Sequence, residues 1–93
     1  IKDSLSSLFR NKYFASVDFC YLFGSYAKGN AKDGSDVDLY VSTSLSGLDF
    51  VGLMEDIRET LHKEVDVINK DELNNNIALT EEIMKYGVRI YEK

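Results

Sequence analysis

Proline is absent from this chain, cysteine occurs once, and acidic residues outnumber basic ones by 16 to 11. Low-complexity tracts and internal repeats are missing too, so nothing marks a linker between separate units. A single domain over residues 1–93 is expected, long enough for one core and too short for two. Cys20 alone makes no internal disulfide, and its place in an apolar run predicts a buried, inert thiol in an intracellular, cytoplasmic protein. At a net charge of −5 the chain lacks the clustered Lys and Arg of a general nucleic-acid grip, so no direct nucleic-acid contact is expected. No apolar run reaches the roughly 18 residues that span a bilayer, which argues against a membrane helix. No secretory signal pattern opens the chain, and a start at Ile1 without methionine is what a trimmed sequence would show. The remaining composition, 44% apolar and 29% charged, fits an ordinary globular protein.

Periodicity divides the chain into alternating elements. Leu5, Leu8 and Phe9 stand at helical spacing, with Asp3 or Ser4 able to cap the start. Residues 17–23 form a continuous apolar-rich run bounded by Gly24, which predicts a buried strand. Residues 25–28 would begin a short helix or turn, and residues 29–34 a polar loop. In residues 36–41, Val37, Leu39 and Val41 alternate with Asp36, Asp38 and Tyr40, so the two sets line opposite faces of a strand. Leu48, Val51, Met54, Ile57 and Leu61 predict an amphipathic helix capped by Ser46. Residues 64–68 read as a short strand, 77–86 as a helix stopped by Gly87, and 88–91 as a closing strand. The alternation predicts an α/β (α+β) fold, a small sheet of about four strands. Helices are expected on one face, leaving an open face that carries the polar side chains.

The acidic positions suggest what that open face could do. Asp36 and Asp38 would lie about 6.6 Å apart along one face of their strand. A neighbouring strand is about 4.8 Å away, so Asp66 can join them if its strand pairs alongside, with Val65 and Val67 turned to the core. Three crowded carboxylates repel unless a cation sits among them. Hard oxygen donors favour Mg²⁺ or Mn²⁺, and no Cys/His cluster exists for zinc. Two ions about 3.5–4 Å apart can activate an attacking hydroxyl and stabilise the leaving oxygen in one step. Asp36 and Asp38 would hold both ions, and Asp66 would complete the site that binds the hydroxyl and take its proton.

Gly24-Ser25, separated from Asp36 by ten residues, fits the other half of that task. Glycine allows a sharp turn and close approach of phosphate oxygens to backbone N–H groups. A helix starting near Ser25 would favour an anion at its positive end, and the Ser25 hydroxyl could donate one more hydrogen bond. Lys28 and Lys32 in the connecting segment could neutralise an outgoing pyrophosphate. Plainer roles compete at each position. Asp36 and Asp38 could be a solvated strand face, Asp66 ordinary alternation, and Ser25 a helix cap. His62 reads as a solvated imidazole at a helix end, and Tyr40 as a half-buried strand tyrosine or a contact to base or ribose. Tyr26 carries the same ambiguity. Glu55, Asp56, Arg58 and Glu59 read as the wet face of a helix, and Leu45, Leu48, Phe50 and Tyr91 as core or as partner surface.

The stretch Gly24-Ser25-Tyr26-Ala27-Lys28-Gly29 through Ser35-Asp36-Val37-Asp38-Leu39 resembles the motif of the nucleotidyltransferase superfamily that includes DNA polymerase β. Length and element order are similar to its smallest branch, the minimal nucleotidyltransferase (MNT) domains. The resemblance runs from about Phe19 to Tyr91 and is specific across residues 24–41 and around Asp66. It implies a mixed sheet, a two-metal site with Mg²⁺, and transfer of a nucleoside monophosphate from a triphosphate, ATP being the expected donor. Gly24 and Ser25 then correspond to the phosphate turn, Asp36 and Asp38 to the paired metal ligands, and Asp66 to the third acid. Lys28 and Lys32 stand where many members carry arginine, keeping the charge but losing the bidentate fork. MNT domains are similar to the antitoxin half of toxin–antitoxin pairs whose other half is a HEPN-domain ribonuclease. That implies a HEPN-domain protein partner and AMP transfer to one of its tyrosines. Set against this is a non-catalytic binding module that neutralises a partner by covering it. A third reading, transfer to an antibiotic or an RNA end, would require an acceptor-binding region from a partner.

Overall fold

Helix and strand alternate along the computed structural model, which describes residues 2–32 and 34–93. The elements are α1 (Lys2–Lys12), β1 (Val17–Phe23), α2 (Gly24–Lys28), β2 (Val37–Thr43), α3 (Gly47–Leu61), β3 (Val65–Ile68), α4 (Lys70–Asn74), α5 (Ile77–Tyr86) and β4 (Val88–Glu92). The strands form one sheet in the order β3-β2-β1-β4. β1 runs antiparallel to β2 and to β4, whereas β2 and β3 are parallel. The sheet is therefore mixed, and α3 provides the long crossover that a parallel pair requires. Ile1 and Asp33, the latter inside the expected polar loop, lie outside the described residues.

Strand alternation builds the main core on one face. Val37, Leu39 and Val41 of β2, Cys20 of β1 and Val67 of β3 pack there with Leu5 and Phe9 of α1 and Leu53 and Ile57 of α3. A register irregularity between Val17 and Phe19 lets Val17 share that face with Cys20, three residues on. Cys20 is fully buried, and burial pushes its thiol pKa up, as expected of an inert cysteine. Leu53 has no exposed surface. Leu53→Ala is expected to destabilise the protein by about 2–5 kcal/mol. Urea denaturation checks this, and a midpoint equal to wild type would contradict the placement of α3.

Several local expectations change. The buried stripe of α3 is Phe50, Leu53, Met54, Ile57 and Leu61, while Leu48 is 87% and Val51 46% exposed. At roughly 100° per residue, Leu48 falls on the side of the helix opposite Ile57, so the stripe that can reach the sheet leaves it in solvent. Ser46 does stand at the N-cap of α3, yet its side chain makes no capping bond. Asp3 and Ser4 lie inside the first turn of α1 rather than before it. Gly87 ends α5 as expected, but with extended backbone instead of a left-handed turn. Glycine is needed there because a Cβ would sit 2.3 Å from the Ile83 carbonyl oxygen.

The second face of the sheet departs most from expectation. It is not simply open. Phe23, Tyr40, Ile68 and Ile83 form a separate small cluster, flanked by Phe19, Tyr21, Leu73 and Leu79. Ile83 and Leu79 come from α5 and Leu73 from α4, so two helices roof part of this face as well. Asn69 and Asn76 cap those helices, accepting from the N–H groups of Glu72 and Leu79 at 3.2 and 3.0 Å. A shallow apolar cavity of about 350 Å³ remains between Tyr21, Tyr40, Ile83 and Met84. Among the described residues, no helix is long and apolar enough to cross a membrane.

Candidate active site

The candidate site forms where β1 ends, because three elements meet there. Phe23, the last residue of β1, is in register with Asp38 on β2. Asp38 is in turn in register with Asp66 on β3. Parallel pairing thus sets the two carboxylate-bearing residues side by side on the second face of the sheet. Asp36 stands one residue before β2, exposed, at a point fixed by the Val37 N–H donating to the Glu64 carbonyl at 3.0 Å. Its charge reaches Asp38, as does that of Asp66. The three acids singled out in the sequence are therefore brought to one end of the sheet.

Gly24 closes the site from above. Its φ of +74° turns the chain from β1 into α2. A Cβ on Gly24 would lie 2.2 Å from Asp38 Oδ2, so the carboxylate packs directly against the glycine α-carbon. Ser25 sits in the first turn of α2 and is not its N-cap, which is Phe23 and provides no side-chain bond. The helix-cap alternative for Ser25 thus does not describe this turn. Tyr26 packs half-buried against the main core, with Lys63 Nζ 5.9 Å from its ring centre.

The two lysines separate. Lys28, at the end of α2, forms an ion pair with Glu82 of α5 at 2.9 Å. Lys32 is exposed in the loop, where its backbone N–H donates to Ser35 Oγ at 2.9 Å and its carbonyl accepts from the Ser35 N–H at 2.9 Å. His62 is the left-handed C-cap of α3 and exposed, in keeping with a solvated helix end. Tyr40 is buried against Phe19, their ring centres 5.6 Å apart, and has a structural position.

Electrostatics single out Asp38. Its pKa is raised, first by burial and then by the charges of Asp66, Asp36 and Glu82. Glu82 is a fourth acid that sequence reasoning missed. It arrives because Leu79 and Ile83 anchor α5 to the sheet, which carries the neighbouring Glu82 to the rim. That apolar pair was the available signal, but it becomes informative only once the second face is known to be roofed.

Oxygen donors alone, mutually repelling and with Asp38 half-buried among them, suit a hard divalent cation. Among the described residues no side-chain hydrogen bond or ion pair engages Asp36, Asp38 or Asp66, so their carboxylate oxygens are available. No group of three or more His, Cys, Asp or Glu side chains is already arranged to enclose an ion among those residues. The donor chemistry fits, and closure around an ion would require side-chain rotation, which exposed Asp36 and Asp66 are free to make.

A glycine-serine turn set against paired carboxylates on a mixed sheet is the arrangement that the resemblance to nucleotidyltransferases implies. A family model described as "Polymerase beta, Nucleotidyltransferase" matches residues 3–93. The chain belongs to this family. Protein adenylyltransferase MntA of Thermococcus cleftensis is 41% identical over 61 residues, which cover 63% of this chain and 62% of that protein. The matched stretch thus leaves more than a third of that relative unaligned. Among solved structures, a chain from a toxin–antitoxin crystal structure with AMP-PNP superposes with a TM-score of 0.76 at 22% identity, covering 99% of this chain and 73% of that one. A chain from the complex of a tri-AMPylated Shewanella oneidensis HEPN toxin with MNT antitoxin gives 0.69 at 19% identity, covering 99% and 70%. At these identities the superpositions establish the fold.

Proposed function

We propose that this chain is a metal-dependent protein adenylyltransferase that moves AMP from ATP to a protein hydroxyl, a tyrosine of a HEPN-type toxin partner, and acts as that partner's antitoxin. The observation that carries this reading is the register of Asp38 with Asp66 beneath the Gly24–Ser25 turn. Similarity to the protein adenylyltransferase MntA and to the complex that contains an AMPylated toxin supports the choice of donor and acceptor.

Each residue has a role in this scheme. Backbone N–H groups after Gly24 and the Ser25 hydroxyl hold the triphosphate, with Lys28 and Lys32 offsetting its charge. Asp36, Asp38 and Asp66 would hold two Mg²⁺ ions, which offset phosphate charge and make the acceptor hydroxyl easier to deprotonate. The acceptor oxygen forms a bond to the α-phosphorus as the bond from that phosphorus to the β-phosphate's bridging oxygen breaks. The electron pair leaves with pyrophosphate. The hydroxyl proton passes to the Asp66 carboxylate, which is exposed and can release it to water.

Thermal unfolding with Mg²⁺ alone, ATP alone, both together, and both with Asp36→Asn tests the site. A ligand at a hundredfold excess over its dissociation constant stabilises by about 2.7 kcal/mol, or roughly 10–20 °C for a domain of this size. The shift is expected to need metal and nucleotide together and to vanish in the variant. An unchanged midpoint in every mixture would favour the non-catalytic binding module instead.

A further inference from the structure

Lys28 lies at the end of α2 farthest from the Gly24–Ser25 turn, yet its ammonium does not trail into solvent. Its Nζ is 2.9 Å from Glu82 Oε1 and 5.2 Å from the centre of the Tyr86 ring. Glu82 and Tyr86 stand one turn apart on α5, so a single helix face grips the cation from two sides. Both partners of the ion pair keep about a third of their side-chain surface exposed, so the pair stays open to solvent and to a ligand. The charge of Glu82 also reaches Asp38, raising its pKa after burial and the charges of Asp66 and Asp36. The contact therefore ties the ammonium at the end of α2 to an acid of α5 whose charge reaches Asp38.

We propose that Glu82 is a positioning residue, holding Lys28 Nζ against Tyr86 where the β- and γ-phosphates of the donor, and then the departing pyrophosphate, would lie. This rests on the nucleotidyl-transfer reading above. An exposed ion pair contributes little to stability, so fold maintenance is a weak reason for this contact. Lysine is a flexible point charge without the planar fork that lets arginine orient itself on phosphate. At Lys28 that orientation must come from neighbours, and Glu82 with Tyr86 provides it before nucleotide arrives. The ordering of a long side chain is then already complete when phosphate binds.

Calorimetric binding of pyrophosphate, AMP-PNP and AMP, each with Mg²⁺, tests the assignment in wild type, Glu82→Gln, Lys28→Met and the double variant. Lys28→Met is expected to weaken pyrophosphate and AMP-PNP by about tenfold, the scale of one charge-assisted hydrogen bond, and to leave AMP unchanged. Glu82→Gln should weaken the same two ligands by a smaller factor, again sparing AMP. The double variant should match Lys28→Met, because Glu82 acts through that lysine. Losses that multiply in the double variant would overturn the assignment, since Glu82 would then act on its own. So would a Glu82→Gln protein that weakens all three ligands alike, or one that binds them as wild type does. Wild-type protein that binds neither AMP-PNP nor pyrophosphate would overturn the functional reading along with it.

Discussion

Asp38→Asn is expected to cut nucleotidyl transfer by at least about 10²-fold, the scale of losing one preorganised electrostatic contact. The same substitution should raise the thermal midpoint of the metal-free protein. Both effects come from the position of Asp38. It is half-buried, in register with Asp66, and exposed to the charges of Asp66, Asp36 and Glu82. Burial first, and those charges next, raise its pKa from the ordinary aspartate value. A group raised in the folded state binds its proton more tightly there than in the unfolded chain. Its contribution to stability is full below the unfolded value and is lost as pH rises through the folded one. An asparagine never takes on that charge. The stability gap in favour of the variant should therefore open as pH climbs from the usual carboxylate range. It should close or reverse once Mg²⁺ and nucleotide are added, because only wild type would gain from them. Melting curves across pH, with and without ligand, read this directly. Undiminished transfer in the variant, or a midpoint below wild type at every pH without metal, would sink the account.

Gly24→Ala should be nearly as damaging, by a different route. The φ of +74° at this position costs an L-residue about 1–2 kcal/mol. The new methyl would also fall 2.2 Å from Asp38 Oδ2 and 3.1 Å from its Cγ. Relief demands that the carboxylate swing away or that α2 start elsewhere, an overpacking cost of about 1–3 kcal/mol. Together these take a large share of the 5–15 kcal/mol typical of a small domain. Either form of relief separates the turn from the acid it faces, so transfer should be lost even at temperatures where the variant is folded. Adding Asp38→Ala removes the group being struck. That double variant should be less destabilised than the two single effects summed, as judged by urea denaturation. Strict additivity would show that the contact is not the source of the strain.

How much of this could be read from the chain depended on element length. β2 was legible because Val37, Leu39 and Val41 alternate with Asp36, Asp38 and Tyr40 over enough positions to define two faces. The acids and the turn followed from it, and the structure brings Gly24, Asp36, Asp38 and Asp66 together. α4 was not legible. Five residues are too few for helical periodicity, although Asn69 and Glu72 stand at the spacing of a capped first turn. Overlooking α4 hid the path by which α5 returns across the second face, and with it the approach of Glu82. In α3 the expectation held for Met54, Ile57 and Leu61 and failed at the first turn for another reason. Leu48 and Val51 are as apolar as the buried stripe, and only docking on the sheet decides which set turns inward.

The register of β3 ties the chemistry to the folding reaction itself. Val65 and Val67 pack on the main core while Asp66 faces the site, and side chains on a strand change face at every step. A slip of one residue would drive the Asp66 carboxylate into hydrocarbon and expose both valines, which is costly in each direction. Misassembled carboxylates and a stable core are thus mutually exclusive at this strand. Folding proofreads the site, and a chain that has reached its native core needs no later step to set Asp66 beside Asp38.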